Sequence, residues 1–75
     1  MSNLSTDLNN LREDLKDELL AINHYQEHID ATDNHEIQKL HGHIRDEEKE
    51  HTADLVTLIG QLDPTEDEQF KKSGD

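Results

Sequence analysis

The chain has 75 residues, enough for one small domain, and its 19 Asp and Glu against 7 Lys and Arg give a formal net charge of −12. Such acidity argues against binding to nucleic acid or to an anionic membrane, because both require a basic face. The absence of cysteine excludes disulfides, thiolate zinc sites and iron–sulfur clusters. The sequence has no apolar run of membrane-spanning length and no signal-like N-terminus, so the expected location is the cytoplasm.

The first periodic stretch runs from about Thr6 to Asp30, with key positions at alternating steps of four and three. This spacing predicts an α-helix with a narrow, coiled-coil-like seam, for which Ser5 or Thr6 is a suitable N-cap. The seam positions are Leu4, Leu8, Leu11, Leu15, Glu18, Ile22, Tyr25 and Ile29.

Residues 30–35 are polar and rich in turn formers, which predicts a loop that includes His35. Within it, Asp33 followed by Glu36 resembles a capping box. A second helix is predicted from about Glu36 to Leu62, because proline follows at position 64. Its seam positions are Ile37, Leu40, Ile44, Glu48, His51, Leu55, Leu58 and Leu62.

Two helices of similar length joined by a short loop predict an all-α antiparallel hairpin over residues 5–63. Because two narrow seams cannot enclose a core alone, we expect two hairpins to pair as a homodimer and complete a four-helix bundle. Residues 64–75 form a charged C-terminal tail, in which Glu66 to Lys72 is predicted as a short third helix.

Three polar residues interrupt the seams: Glu18, Glu48 and His51. A carboxylate on an apolar seam is costly unless it is paired or bound to a cation. Glu18 and Glu48 each lie 15 residues from position 33, so an antiparallel hairpin places them at the same height. His51 follows Glu48 by one turn on the same face. Alternatively, both carboxylates are solvated at the edge of a loose coiled coil.

Ferritin-like di-iron bundles use a Glu from each of two helices and a Glu-x-x-His motif from each of the other two. One copy of this chain supplies half of that set, and a two-fold dimer would supply all of it. Carboxylate and imidazole ligands suit Fe(II) and Mn(II), and we expect Zn, Mn or Ca to be able to substitute for iron in a crystal. Because four carboxylates would converge without metal, metal is expected to promote assembly.

The remaining histidines and the tyrosine are weaker candidates. His24 and His28 are spaced i, i+4, which fits either a secondary surface metal site or a solvated polar face. Tyr25 fits a core position with its hydroxyl at the bundle edge better than a redox role. His41 and His43 point apart on a helix and cannot chelate together. In the run 45–50, only Glu48 is expected to point inward.

Two segments, DELLAINHYQEHID at 17–30 and HIRDEEKEH at 43–51, resemble the encapsulated ferritin family. The resemblance implies a two-helix protomer and a di-iron ferroxidase centre between two protomers. It also implies that dimers assemble into a ring-shaped decamer, with iron mineralised inside a surrounding encapsulin shell. By position, the iron ligands would be Glu18, Glu48 and His51, and Tyr25 matches a tyrosine near the family's centre.

The sequence departs from the family in two places. Asp17, Leu20 and His24 occupy the positions of a secondary metal-uptake site, where Leu20 replaces a carboxylate and His24 replaces a tryptophan. We therefore expect a changed secondary site, with Asp17 and His24 at i, i+7 as candidate ligands. Residues 69–75, QFKKSGD, do not resemble the encapsulin-targeting peptide of the family's cargo proteins.

The predicted function is therefore a ferroxidase that oxidises Fe(II) to Fe(III) with O₂ at a di-iron centre, for iron mineralisation and storage. One alternative is a protein that binds or buffers metal through the same ligands without turnover. A second alternative, from a different class, is an acidic structural coiled-coil module.

Overall fold

The computed structural model describes residues 4–63 and contains two helices, α1 (Leu4–Asp30) and α2 (His35–Leu62), joined by residues 31–34. The helices are antiparallel, because Arg12 near the start of α1 donates to Asp63 at the end of α2, whereas Arg45 donates to Gln26. No strand occurs in this part of the chain, so the predicted all-α hairpin is confirmed. The predicted tail helix lies outside the described residues.

Neither described helix is long and apolar enough to cross a membrane. The predicted end of α1 at Asp30 is confirmed, but its beginning differs from the prediction. Ser5 and Thr6 lie inside α1, which is already helical at Leu4. The prediction that either residue is the N-cap was therefore wrong, since an N-cap flanks the helix.

The N-terminus of α2 is capped by Asn34 rather than by Asp33. The Asn34 Oδ1 atom accepts hydrogen bonds from the backbone N–H groups of Glu36 at 3.0 Å and Ile37 at 3.1 Å. These bonds satisfy two donors that have no partner within the helix. His35 is consequently the first residue of α2, so the prediction that it belongs to the loop was also wrong.

The C-terminus of α2 lies at Leu62, as predicted, and helix continues through Gly60. The backbone N–H of Asp63 donates to the carbonyl of Ile59 at 2.8 Å, while Asp63 itself leaves the helical conformation with φ −133° and ψ 85°. This agrees with the position of Asp63 before a proline, where the α conformation is sterically disfavoured.

The exposure of the apolar side chains of α2 shows that only some of them pack against α1. The buried apolar side chains of residues 4–63 are Leu8 and Ile59, which is 0% exposed although it lies outside the predicted seam. Five of the eight predicted seam positions of α2 are exposed instead, namely His51 and four apolar residues, among which Leu40 is 58% exposed. We call these four exposed residues the outer row: Ile37, Leu40, Leu58 and Leu62. The prediction correctly identified them as apolar and periodic, but they do not pack within one hairpin.

Candidate metal centre

Glu18 of α1 and Glu48 and His51 of α2 come together midway along the hairpin. Each offers one ligand atom, and the three atoms all lie within 4.8 Å of one another. The His51 Nδ1 atom is 3.7 Å from Glu18 Oε2 and 3.7 Å from Glu48 Oε2. Among residues 4–63, this is the single group of three or more potential ligands with such spacing. The juxtaposition expected from equal counting along both helices is therefore present, while metal binding itself stays a prediction.

The spacing fits a bound cation better than it fits hydrogen bonding. A separation of 3.7 Å is too long for an N–H···O hydrogen bond. By contrast, oxygen and nitrogen ligands that each lie about 2.1 Å from one ion are roughly 3–4 Å from each other. The three side chains are therefore already close to the separations that one shared ion requires.

The two carboxylates are half-buried, and the one basic residue beside them among residues 4–63 is His51. The Glu18 and Glu48 side chains are 27% and 20% exposed, whereas His51 is 54% exposed. The Glu18 Oε2 atom is buried and accepts no hydrogen bond from any described residue. Within the same part of the chain, no lysine or arginine pairs with either carboxylate. A partly desolvated carboxylate oxygen that accepts no hydrogen bond is unfavourable, and a divalent cation would relieve that cost.

Carboxylate and imidazole donors suit Fe(II), Mn(II) and Zn(II), and the identity of the metal stays a prediction. Three protein ligands would leave further positions on such an ion open. Open positions allow a metal to bind small molecules directly, so the donor set is compatible with chemistry as well as with storage.

The other predicted site residues are spread over the hairpin. Asp17 and His24 are exposed, and neither belongs to the three-ligand group. Their predicted secondary site stays a prediction. Tyr25 is half-buried, as expected for a seam position, and its ring lies 5.6 Å from that of His41 and 6.3 Å from that of His28, centroid to centroid.

Two inward-facing residues were not identified from the sequence. The half-buried ring of His41 contacts α1, and the Arg45 side chain is only 23% exposed and donates to Gln26. The prediction that only Glu48 points inward in the run 45–50 was therefore wrong. A signal for His41 was available, since Tyr25 and His41 each lie eight residues from position 33.

Comparison with known proteins places these observations in a family. The model of the EncFtn-like family matches residues 1–73. The encapsulin nanocompartment cargo protein EncC of Myxococcus xanthus (strain DK1622) is 43% identical over 63 residues, which are 84% of this chain and 48% of that protein. The cargo protein EncB of the same organism is 33% identical over 66 residues, 88% of this chain and 42% of that protein.

The chain thus spans a little under half the length of these curated relatives. No solved structure matches it. The family match extends over almost the whole sequence and includes all three residues of the candidate centre. The chain belongs to the EncFtn-like family.

Proposed function

We propose that this chain is a ferroxidase, which oxidises Fe(II) to Fe(III) with O₂ at a di-iron centre formed by two copies. The observation that carries this proposal is the convergence of Glu18, Glu48 and His51 within 4.8 Å, where no lysine or arginine among residues 4–63 pairs with either carboxylate. Membership of the EncFtn-like family supports the same proposed function.

The proposal of two copies follows from what one hairpin lacks. Di-iron sites of ferritin-like bundles draw ligands from four helices, and one chain supplies only one Glu and one Glu-x-x-His motif. His51 is exposed, and the outer row lies on the same predicted seam of α2. Contact of this face with a second copy would bury the four apolar side chains at about 25 cal/mol per Å². It would also bring a second ligand set towards the first.

Charge supports the same stoichiometry. Two copies contribute four carboxylates from Glu18 and Glu48, which repel one another when no cation is present. Two Fe(II) ions bring an equal positive charge. In the proposed reaction each iron gives up one electron, and O₂ accepts both.

Each ligand has a separable role in this proposal. Glu48 is the candidate to bridge the two irons, while Glu18 and His51 complete the coordination of each. His51 binds metal as the neutral imidazole, so protons compete with iron for it. We therefore expect iron affinity to fall as the solution is acidified.

An encapsulin shell is the proposed partner beyond the chain itself. EncC and EncB are both named as encapsulin nanocompartment cargo proteins, which supports a similar setting for this relative. In that setting, ferric product would be mineralised within the shell. A ring of dimers, such as the decamer implied by the family resemblance, belongs to the same proposal.

A second candidate is metal buffering, because the three ligand atoms of a single hairpin are close enough together to bind one ion. Aerobic Fe(II) oxidation distinguishes the two functions when ferric-oxo absorbance is followed for wild type, Glu18→Ala and a protein-free solution. Glu13→Ala is the matched control, since Glu13 is an exposed carboxylate on the same helix.

We expect wild type and Glu13→Ala to oxidise iron quickly, and Glu18→Ala to match the protein-free rate. If wild type is no faster than the protein-free solution, the ferroxidase proposal is rejected. Anaerobic Fe(II) binding that is lost in Glu18→Ala would then favour buffering. Sedimentation velocity with metal and with a chelator tests assembly, and identical profiles would contradict the proposed coupling between metal and dimer.

A further inference from the structure

A second group of possible ligands lies nearer to the loop, away from the carboxylate centre. His28 of α1 and His41 of α2 have ring centroids 5.2 Å apart, with an angle of 51° between the ring planes. Tyr25 packs against both rings, at 5.6 Å from His41 and 6.3 Å from His28. The two imidazoles therefore meet across the interface between the helices.

His41 carries a polar atom that the hairpin does not satisfy. Its Nδ1 atom is buried, and no described residue forms a hydrogen bond with it. A buried nitrogen without a partner carries a desolvation cost. Buried polar atoms normally have a partner in native proteins, so this exception points to a ligand or to water.

The separation of the two rings matches that of imidazoles on one metal ion. When each metal–nitrogen bond is about 2.1 Å, two imidazoles on a tetrahedral ion have centroids roughly 5 Å apart. Imidazole is a donor for Cu(II), Ni(II) and Zn(II), whereas Mg(II) and Ca(II) prefer oxygen. The geometry points to a second metal site, in which His28 and His41 bind one transition-metal ion of this imidazole-preferring class.

This site is separate from the candidate iron centre. His28 follows Glu18 by ten residues on α1, which corresponds to about 15 Å along the helix. It contains no carboxylate from that centre, so the inference does not depend on the proposed ferroxidase activity. An ion held by His28 and His41 would also link α1 to α2 near the loop and stabilise the hairpin.

The chain provides its own reporter for this site. Tyr25 is the only tyrosine, and the sequence has no tryptophan, so intrinsic fluorescence comes from the residue beside the two histidines. The test is a Cu(II) titration of the full chain, in which bound copper quenches Tyr25. Wild type is compared with His28→Ala, His41→Gln, the double variant and His35→Ala. The last variant removes an exposed histidine elsewhere on α2.

Removal of either ligand should weaken Cu(II) binding by about tenfold or more, because even the loss of a group that only supports a ligand costs 10–100-fold. The double variant should be little weaker than the single variants, and His35→Ala should match wild type. His28 is exposed, so its removal should leave helix content by circular dichroism unchanged. The same titration in His51→Ala, where the carboxylate centre lacks its imidazole, should retain the quenching.

A His28→Ala titration that superimposes on wild type would overturn the inference and leave the three rings as a packing contact. Equal weakening in His35→Ala would do the same, because binding would then be non-specific. Electron paramagnetic resonance of the copper-loaded wild type gives an independent check. It should show two nitrogen ligands on the tightest-bound ion, and a spectrum with oxygen ligands alone would refute the site.

Discussion

Polar side chains lie between the helices at two levels of this hairpin, and the two levels treat them differently. On the loop side of the candidate centre, Arg45 Nη1 donates to Gln26 Oε1 at 2.8 Å, and Gln38 Nε2 donates to the Thr32 carbonyl at 2.7 Å. Midway along the helices, the ligand atoms of the candidate centre face one another, and the buried Glu18 Oε2 has no donor among the described residues.

Whether a polar group is paired within the chain distinguishes residues that stabilise the fold from residues that can bind a ligand. Near the loop, donors meet acceptors within one chain, so these polar bonds stabilise the hairpin directly. In the middle, two acceptors meet each other, which costs stability unless something positive binds. Burial alone does not distinguish the levels, because Arg45, Glu18 and Glu48 are all half-buried.

The largest expected effect is stabilisation of the middle level by a cation. Mn(II) at 100 times its Kd should raise the free energy of unfolding by about 2.7 kcal/mol. For a domain of this size, that corresponds to a rise in Tm of roughly 10 °C or more. Mn(II) prefers carboxylate ligands to a pair of imidazoles, so it reports on Glu18 and Glu48. Thermal unfolding at fixed protein concentration measures the shift.

Glu18→Gln provides the control for this shift. It should remove most of the effect of Mn(II), yet its metal-free form should be at least as stable as wild type, because one of two facing carboxylates has become neutral. A Glu18→Gln protein that is destabilised without metal and still responds fully to Mn(II) would show that Glu18 neither repels Glu48 nor binds the cation.

A smaller effect is expected near the loop from Arg45→Ala. This change removes the hydrogen bond to Gln26 and should lower the free energy of unfolding by about 1–2 kcal/mol. Arg45 is not a ligand of the candidate centre, so the Mn(II)-induced rise in Tm should persist. Chemical denaturation with and without Mn(II) measures both quantities. If Arg45→Ala abolished the response to Mn(II) and left the free energy of unfolding unchanged, Arg45 would act in metal binding, which contradicts its assigned role in stabilising the hairpin.

The smallest effect is expected from Gly42→Ala on α2. Glycine in the interior of a helix costs about 1 kcal/mol relative to alanine. The added Cβ would meet the Arg45 Nη2 atom at 3.9 Å, an ordinary van der Waals contact. Thermal unfolding should therefore show a gain in stability of about 0.5–1 kcal/mol. A loss would indicate that another copy approaches the backbone closely at Gly42.

The sequence predicted those features of the fold that depend on local spacing. Periodicity predicted two helices, and counting from the loop brought Glu18 level with Glu48, since an antiparallel hairpin fixes relative heights. The N-cap of α2 was predicted one residue too early because Asp33 and Asn34 are adjacent and both are good N-caps. Only the backbone geometry distinguishes them.

Periodicity did not predict which surface each apolar side chain packs against. The prediction assigned Leu40 and Leu58 to one seam together with Leu55, but the structure leaves the first two exposed. A periodic pattern indicates that a residue is buried, but it does not indicate whether the contact is made within the same chain or with another chain. Arg45 shows the converse problem, because its charge suggested solvent while its long stem and head reach Gln26.

The turn at residues 31–34 also has a consequence for how the hairpin folds. The contact between Gln26 and Arg45 closes a segment of 19 residues, whereas the contact between Arg12 and Asp63 closes a segment of 51 residues. Because the entropy lost on closure rises with segment length, contacts are expected to form first beside the turn and then propagate along the helices. In this order the neutral and basic groups near the turn establish the alignment of the two helices before Glu18 meets Glu48. The pair that repels, which is 30 residues apart in the sequence, is thus brought together by contacts that have already formed.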